Sequence, residues 1–194
     1  MRKINFKDVF IPTISLFIIC IVITAALAFT NAITSTKIAE NEKQAQQQSM
    51  TIVCPEAKSF ELVTESSDGS LYKGLTDSGD VAGYAVSTVA SGYGGQIKVM
   101  TGFSTDGSII NIDVYYNDDE TPGLGKNTSN ESFTAQFKGL LSNDKVIVSK
   151  DYAGEGQQID AVTSSTISSR AVTVAVNTAC EIYNAEITGG EIDG

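Results

Sequence analysis

From Val9 to Thr36 the chain runs 28 residues without an Asp, Glu, Lys or Arg, and from Val9 to Phe29 it is almost wholly Val, Ile, Leu, Phe and Ala. At a helical rise of 1.5 Å the latter stretch reaches roughly 31 Å, the thickness of a bilayer's hydrocarbon core. Residues 9–33 are therefore expected to form a transmembrane anchor. Pro12 is placed in its first turn, where a missing N–H costs little, and the hydroxyls of Thr13, Ser15 and Thr24 are expected to bond back to the helix. A cleaved signal peptide is the alternative, and Ala26-Leu27-Ala28 resembles a cleavage site. Its apolar core would span only about 7–15 residues, so length favours an uncleaved anchor. Cys20 follows the bulky Phe17-Ile18-Ile19 and is not expected to accept a lipid. Arg2, Lys3 and Lys7 precede the span, whereas one Lys and then mixed charge follow it. The positive-inside tendency makes residues 1–8 a cytoplasmic tail and puts everything from about Thr34 outside.

Residues 34–51 are rich in Glu, Lys, Gln and Ala and contain no Gly or Pro, which predicts a helical stalk. Residues 52–194 then form one extracytoplasmic domain, long enough for a core of its own. The chain carries 13 Lys+Arg against 23 Asp+Glu, a net charge of −10. Removing Arg2, Lys3, Lys7 and Asp8, which together carry +2, leaves −12 beyond them. Nucleic acid is excluded as a partner, because affinity for its backbone comes from Lys and Arg. There is no His in the 194 residues, so Ser-His-Asp and Cys-His sites, HExxH zinc sites and His-ligated haem are excluded together. Chemistry here rests on carboxylates, hydroxyls, Lys and Arg, or a borrowed cofactor. Cys54 and Cys180 in the exported part are either one disulfide or two buried thiols. Asp113, Asp118, Asp119 and Glu120 lack EF-hand spacing and read as solvated charges, so no metal site is expected.

Tyr84–Ala90, Gln96–Phe103 and Ser108–Tyr116 are β-branched and aromatic runs separated by Gly-rich turns, and read as strands. Thr105-Asp106-Gly107 is a hairpin signal. Ile110, Ile112, Val114 and Tyr116 alternate with Asn111, Asp113 and Tyr115, the pattern of a half-buried strand. Lys145–Ser149 reads as a further strand, and Ser132–Leu141 as a helix with Phe133, Phe137 and Leu140/Leu141 on one stripe. Val172, Ala175/Val176, Ala179 and Ile182/Tyr183 predict a final helix packed on the sheet. The fold class is α+β, with one N-terminal transmembrane helix and a single domain built of a mixed or antiparallel sheet and packed helices.

Two segments stand out from ordinary loops. Asp119-Glu120-Thr121-Pro122-Gly123-Leu124-Gly125 follows a strand, and its Pro and Gly residues fix a tight backbone with an apolar Leu124 between glycines. It serves either as a turn or as a ligand contact. Asp160-Ala161-Val162-Thr163-Ser164-Ser165-Thr166 leads into the final helix, and from Thr163 to Ser169 six of seven residues carry hydroxyls. Such a run supplies capping oxygens, and it also surrounds a helix start where phosphate is stabilised. Composition leaves both readings open.

Residues 160–166 resemble the flavinylation motif Asp-x-x-Ser/Thr-Gly-Ala-Thr of the FMN-binding domain family, found in the G subunit of Rnf complexes and the C subunit of Nqr complexes. Glu120-Thr121-Pro122-Gly123-Leu124-Gly125 is similar to that family's other signature, and Gly92-Tyr93-Gly94-Gly95-Gln96-Ile97 before it resembles the strand entry those proteins carry. With the single anchor and the Asp106-Gly107 turn, the likeness covers most of the chain in order. It implies a covalent FMN joined as a phosphoester to Thr166, with Asp160, Thr163, Ser164 and Ser165 around the attachment and Asp160 orienting the loop. Glu120, Thr121, Gly123 and Leu124 would lie near the isoalloxazine, Leu124 giving apolar contact. The implied function is an electron relay in a membrane-bound, ion-translocating Rnf-type ferredoxin:NAD oxidoreductase complex, a redox subunit with no catalytic residues of its own. Its partners would be the complex's other membrane subunits and, during maturation, a metal-dependent flavin transferase using FAD. The corresponding Nqr-type subunit is the near alternative, and a membrane-tethered interaction protein without cofactor the distant one. Ser164 and Ser165 depart from the motif's Gly and Ala, and Asp118 stands where relatives often carry His. If position 164 needs a positive φ, Ser164 is strained.

Overall fold

The computed structural model describes residues 6–149 and 156–189, so Arg2 and Lys3 of the basic flank lie outside the described residues. The chain divides into two compact units, Met1–Lys43 and Gln44–Gly194. Helix α1 runs unbroken over Phe6–Val53. In the first unit its described apolar side chains, among them Phe10, Ile14, Phe17, Ile21, Leu27 and Ile33, are exposed. A helix this apolar with no protein covering it has the character of a lipid-facing span. Pro12 does not sit in the first turn as expected. The helix already begins at Phe6, so the proline is internal and leaves the Asp8 carbonyl without its usual donor. Hydroxyls further along bond back to the helix: Thr30 donates to the Ala26 carbonyl at 3.0 Å and Thr34 to that of Thr30 at 2.9 Å.

The second unit is built on a five-stranded antiparallel meander in sequential order: β1 (Ser59–Glu65), β2 (Gly69–Leu75), β3 (Val81–Ser91), β4 (Gln96–Phe103) and β5 (Ile109–Tyr116). Alternation along β3 and β4 sends two sets of side chains to opposite faces. On one face Ala85 and Met100 meet Met50 and Val53 from the last turns of α1, with Phe60, Tyr72 and Tyr115 packed around them. On the other, Val86, Ile97, Val99, Phe103, Ile112 and Val114 meet α3 (Thr166–Tyr183) through Val172, Ala175, Val176 and Ala179. The alanines let helix and sheet approach closely, and Thr88 Oγ1 donates to the Ala175 carbonyl at 3.0 Å. Tyr183 closes the far end, its ring stacked on Phe103 at 4.6 Å and its hydroxyl donating to the Ser104 carbonyl at 3.2 Å.

The β4–β5 hairpin turns at Gly107, whose φ is +83°, as the Asp-Gly signal predicts. Asp106 accepts hydrogen bonds from the Ser104 hydroxyl and from the Ser108 N–H and hydroxyl, which hold its carboxyl down at about 2. Residues 132–141 do not form the helix expected of them. A single turn α2 (Glu131–Thr134) passes into a 3-10 turn (Ala135–Phe137) and ends at Gly139, φ +79°. Phe133 and Phe137 are buried as the stripe predicts, but Leu141 is exposed. The chain leaves helical geometry there because Gly139 N–H donates to the Ile109 carbonyl and Ile109 N–H to that of Leu140, at 2.8 Å each, pairing this segment with the start of β5. The strand expected at 145–149 is β6 (Val146–Val148), paired in parallel with β7 (Gln157–Ile159). Asn177 of α3 holds it in place, accepting from the Val146 N–H at 3.0 Å and donating to the Val146 carbonyl at 2.8 Å.

Cys54 and Cys180 are both buried free thiols. Cys54 follows the end of α1 on one face of the sheet and Cys180 lies in the α3 cluster on the other, so no disulfide joins them. Burial, reinforced by Glu181 and Asp144, pushes the Cys180 thiol from 9.0 up to about 12. Between those values an unfolded chain ionises this thiol and the folded one does not, so its contribution to stability is complete below pH 9 and lost as pH rises towards 12. Accordingly Cys180 should resist iodoacetamide at pH 8 in native protein and react once urea unfolds it, as peptide mapping would show. Replacing Asn177 by Ala strands two Val146 backbone groups and should lower unfolding stability by about 1–3 kcal/mol, measured by urea titration of the detergent-solubilised chain.

Candidate functional site

Three segments distant in sequence meet at one end of the sheet: the turn between β3 and β4, the loop after β5, and the start of α3. In the loop, Leu124 N–H donates to the Thr121 carbonyl at 3.1 Å and Gly123 has φ +78°, a turn that Pro122-Gly123 is built to make. Its effect is to thrust Leu124 outward, half-exposed, before the chain enters a 3-10 turn (Gly125–Ser129).

Glu120 fastens the three segments together. Its side chain is 2% exposed. Oε1 accepts from the Tyr93 N–H at 2.7 Å and the Gly94 N–H at 3.1 Å, and Oε2 accepts from the Ser168 hydroxyl at 2.8 Å. Two close approaches make this possible: a Cβ on Gly94 would overlap the Asp119 carbonyl, and one on Gly125 would overlap the Glu120 carboxylate. The neighbouring carboxylates serve separate ends, with Asp118 paired to Lys126 at 3.2 Å and Asp119 packed against Gly95.

The final helix starts at Thr166, inside the hydroxyl-rich run. Those hydroxyls do not cap it as their number suggests. The N-cap side chain makes no capping bond, Ser168 is engaged with Glu120, and Ser169 Oγ accepts from the Val162 N–H while donating to the Ser165 carbonyl. Ser165, at the N-cap, is buried with its hydroxyl unpartnered. Ser164 has φ +60°, the single positive-φ non-glycine among the described residues. The strain expected at that position is present. Asp160 is tied by its backbone: its N–H donates to Gln136 Oε1 at 2.7 Å, and its carbonyl accepts from Gln136 Nε2 at 3.2 Å. Its carboxylate accepts from the Ser149 hydroxyl at 3.0 Å.

Two clefts flank the ridge formed by Leu124 and Ser164. The first, of about 470 Å³, is lined by Glu120, Thr121, Ser165 and Thr166, with the apolar walls of Tyr93 and Ile167. The second, of about 480 Å³, holds Asp160, Thr163 and Gly123, and is walled by Asn127, Asn130 and Gln136. The two sequence motifs therefore do meet, but Asp160 and Thr163 lie across the ridge from Thr166. Sequence gives no role to Tyr93, Ile167, Ser168 or Gln136. Ser168 and Gln136 act through contacts 48 and 24 residues away, which no local pattern carries. Tyr93 does lie inside the Gly92–Ile97 motif, where its glycine neighbours are the available signal.

Residues 92–181 match the FMN-binding domain family and residues 1–53 the RnfG N-terminal region. The chain is 35% identical to the G subunit of the Na(+)-translocating ferredoxin:NAD(+) oxidoreductase complex of Acetobacterium woodii, over 93% of this chain and 94% of that one. The chain belongs to the RnfG family. A second RnfG relative, from the proton-translocating ferredoxin:NAD(+) oxidoreductase complex of Clostridium ljungdahlii, is 33% identical over 95% of this chain and 96% of its own. The fold is shared more widely: the solved C subunit of the Na(+)-translocating NADH-quinone reductase of Parabacteroides distasonis matches with a TM-score of 0.60 at 16% identity, over 78% of this chain and 96% of that one. The RnfG relatives are thus much nearer in sequence than the Nqr-type structure, which resembles this chain in fold alone.

Within this RnfG-family chain, the helix start joins an unpartnered buried hydroxyl to a half-buried threonine at the mouth of an apolar-walled cleft. That set suits a phosphate attached to a flat ring. Ser164 carries the one local conflict. A side chain in the left-handed region costs about 1–2 kcal/mol, part of which glycine's extra entropy offsets. Ser164→Gly should therefore raise unfolding stability by about 0.5–1 kcal/mol and Ser164→Val should lower it, read from denaturant midpoints.

Proposed function

We propose that this chain is the FMN-carrying electron-relay subunit of a membrane-bound, ion-translocating Rnf-type complex, with the flavin phosphate esterified to Thr166 Oγ1. The observation that carries the attachment is the buried, unpartnered Ser165 hydroxyl beside Thr166 at an uncapped helix start. The first-turn N–H groups of α3 have no carbonyl four residues back within the helix, and the helix dipole adds partial positive charge. A phosphate on Thr166 would take these donors and the Ser165 hydroxyl together. FMN supplies one- and two-electron redox chemistry. The chain's residues position it and exclude water. Leu124 and Ile167 offer apolar surface to the ring, while Glu120 holds the walls at fixed separation rather than reaching out to the ligand.

Thr166 is an acceptor in this reading. A flavin transferase would supply FAD; the Thr166 oxygen bonds to the FMN phosphorus, the pyrophosphate bond breaks, AMP departs, and the hydroxyl proton is lost. This suits a chain without His, which lacks the usual base for activating its own hydroxyl. Thr166 is half-buried and the preceding Thr163 and Ser164 are exposed, so the transferase can reach the loop.

Partners follow from the relatives' names: both are G subunits of ferredoxin:NAD(+) oxidoreductase complexes, one named for Na(+) and one for protons. The chain would then dock with other membrane subunits and pass electrons between neighbouring centres. Arg2, Lys3 and Lys7 favour a cytoplasmic N-terminus and an extracytoplasmic domain.

Protein purified from cells that express a flavin transferase should remain yellow and fluorescent after denaturation, with FMN mass on the peptide that contains Thr166. Thr166→Ala should lose the adduct while the helix and sheet persist. Full flavin attachment in that variant would transfer the role to a neighbouring hydroxyl, and a bare wild-type chain would leave a tethered domain without cofactor.

A further inference from the structure

We infer that Tyr93 forms the outer wall of the flavin ring's seat, so that the ring lies on the Tyr93 side of the Leu124–Ser164 ridge and not in the equally large cleft on the Gln136 side. This rests on the attachment at Thr166 proposed above. Tyr93 is 72% exposed, yet it stands on a stiff support. The turn that carries it closes through a bond from the Gly92 N–H to the Gly95 carbonyl at 2.7 Å, and the Tyr93 N–H is fixed to Glu120 at 2.7 Å. Gly94 lies flat on the Asp119 backbone, so Tyr93 is the one side chain the tip of this turn can present. Large aromatic surface held out to solvent on a rigid backbone is surface awaiting a contact.

What it faces decides the contact. Leu124, 41% exposed, and Ile167, 51% exposed, line the same cleft as Tyr93 and Thr166. A planar ring tethered at Thr166 would be covered by all three. The other cleft is also touched by Ala161, Val162 and the buried Phe133, but it is bordered by the amides of Asn127, Asn130 and Gln136 and by Asp160, groups that favour water or a polar chain over an aromatic face. The two volumes differ by only about 10 Å³, so size does not choose between them. Lining chemistry does.

The test uses the full-length, detergent-solubilised holoprotein as wild type, Tyr93→Ala, Tyr93→Phe and Ser132→Trp. Ser132 is an exposed residue of the Gln136-side cleft, so a Trp there is tolerated and reports on that side. A tyrosine against a flavin quenches its fluorescence by lending an electron to the excited ring and taking it back. With FMN load confirmed by intact mass, Tyr93→Ala should raise flavin fluorescence several-fold and shift the visible absorption bands. Tyr93→Phe should raise fluorescence but keep the wild-type absorption, because the packing remains and the electron donor is gone. Ser132→Trp should change neither. Equal fluorescence in wild type and Tyr93→Ala, or strong quenching by Trp at position 132, would overturn this seat while leaving the attachment intact. A wild-type chain without flavin would overturn both.

Discussion

The site end of this domain is organised around a buried negative charge. Moving a carboxylate out of water costs several kcal/mol, and the cost is offset only if its lone pairs are met. Glu120 meets them with two backbone N–H groups and a hydroxyl, bonds of the charge-assisted kind worth about 1.5–3 kcal/mol each. Because the donors come from the β3–β4 turn and from α3, the carboxylate cannot be satisfied unless these segments close on the loop after β5. The separation of Tyr93, Leu124 and Thr166 is thus fixed by the same interaction that makes Glu120 tolerable inside the protein. Weakening it would loosen all three walls together.

Legibility in the sequence follows the range of the interactions. The strands β4 and β5 and the helix α3 are readable because burial on one face leaves a period in the sequence. Neither β1 nor β2 is. β1 is an edge strand with a bulge between Leu62 and Thr64 and exposed side chains along most of its length, and β2 contains two glycines, so the period is absent. The stripe at 133, 137 and 140 correctly marks buried phenylalanines but not a helix, since the pairing of Gly139 and Leu140 with Ile109 wins over local propensity. In sequence Glu120 reads as a ring contact beside a Pro-Gly turn. Its tethering role is invisible there because its partners lie 26 to 48 residues away.

Ser164 is the opposite case. Its departure from the family's glycine carries a conditional expectation of strain, and φ is +60° there. The loop takes a left-handed conformation that suits glycine while using a residue that resists it. Strain persists where the surroundings over-determine a conformation. Here Val162 is bound by Ser169, and the Ser165 N–H donates to the Val162 carbonyl at 3.0 Å, which leaves Ser164 no other path between them.

Charge placement leaves the start of α3 open to an anion even in so acidic a chain. The sequence holds 23 Asp and Glu residues, yet none falls in the first turn of α3, where acids ordinarily settle against the dipole. The N-cap side chain makes no capping bond either, although six of the seven residues from Thr163 to Ser169 carry hydroxyls. Glu120 reaches the helix through the Ser168 hydroxyl and has its charge already met by Tyr93 and Gly94. A helix start that is uncapped, free of acids in its first turn and bordered by an orphan hydroxyl is a favourable place for an anion. A phosphoester on Thr166 would complete it, and would do so from within the chain, so the cofactor could not diffuse away between one electron transfer and the next.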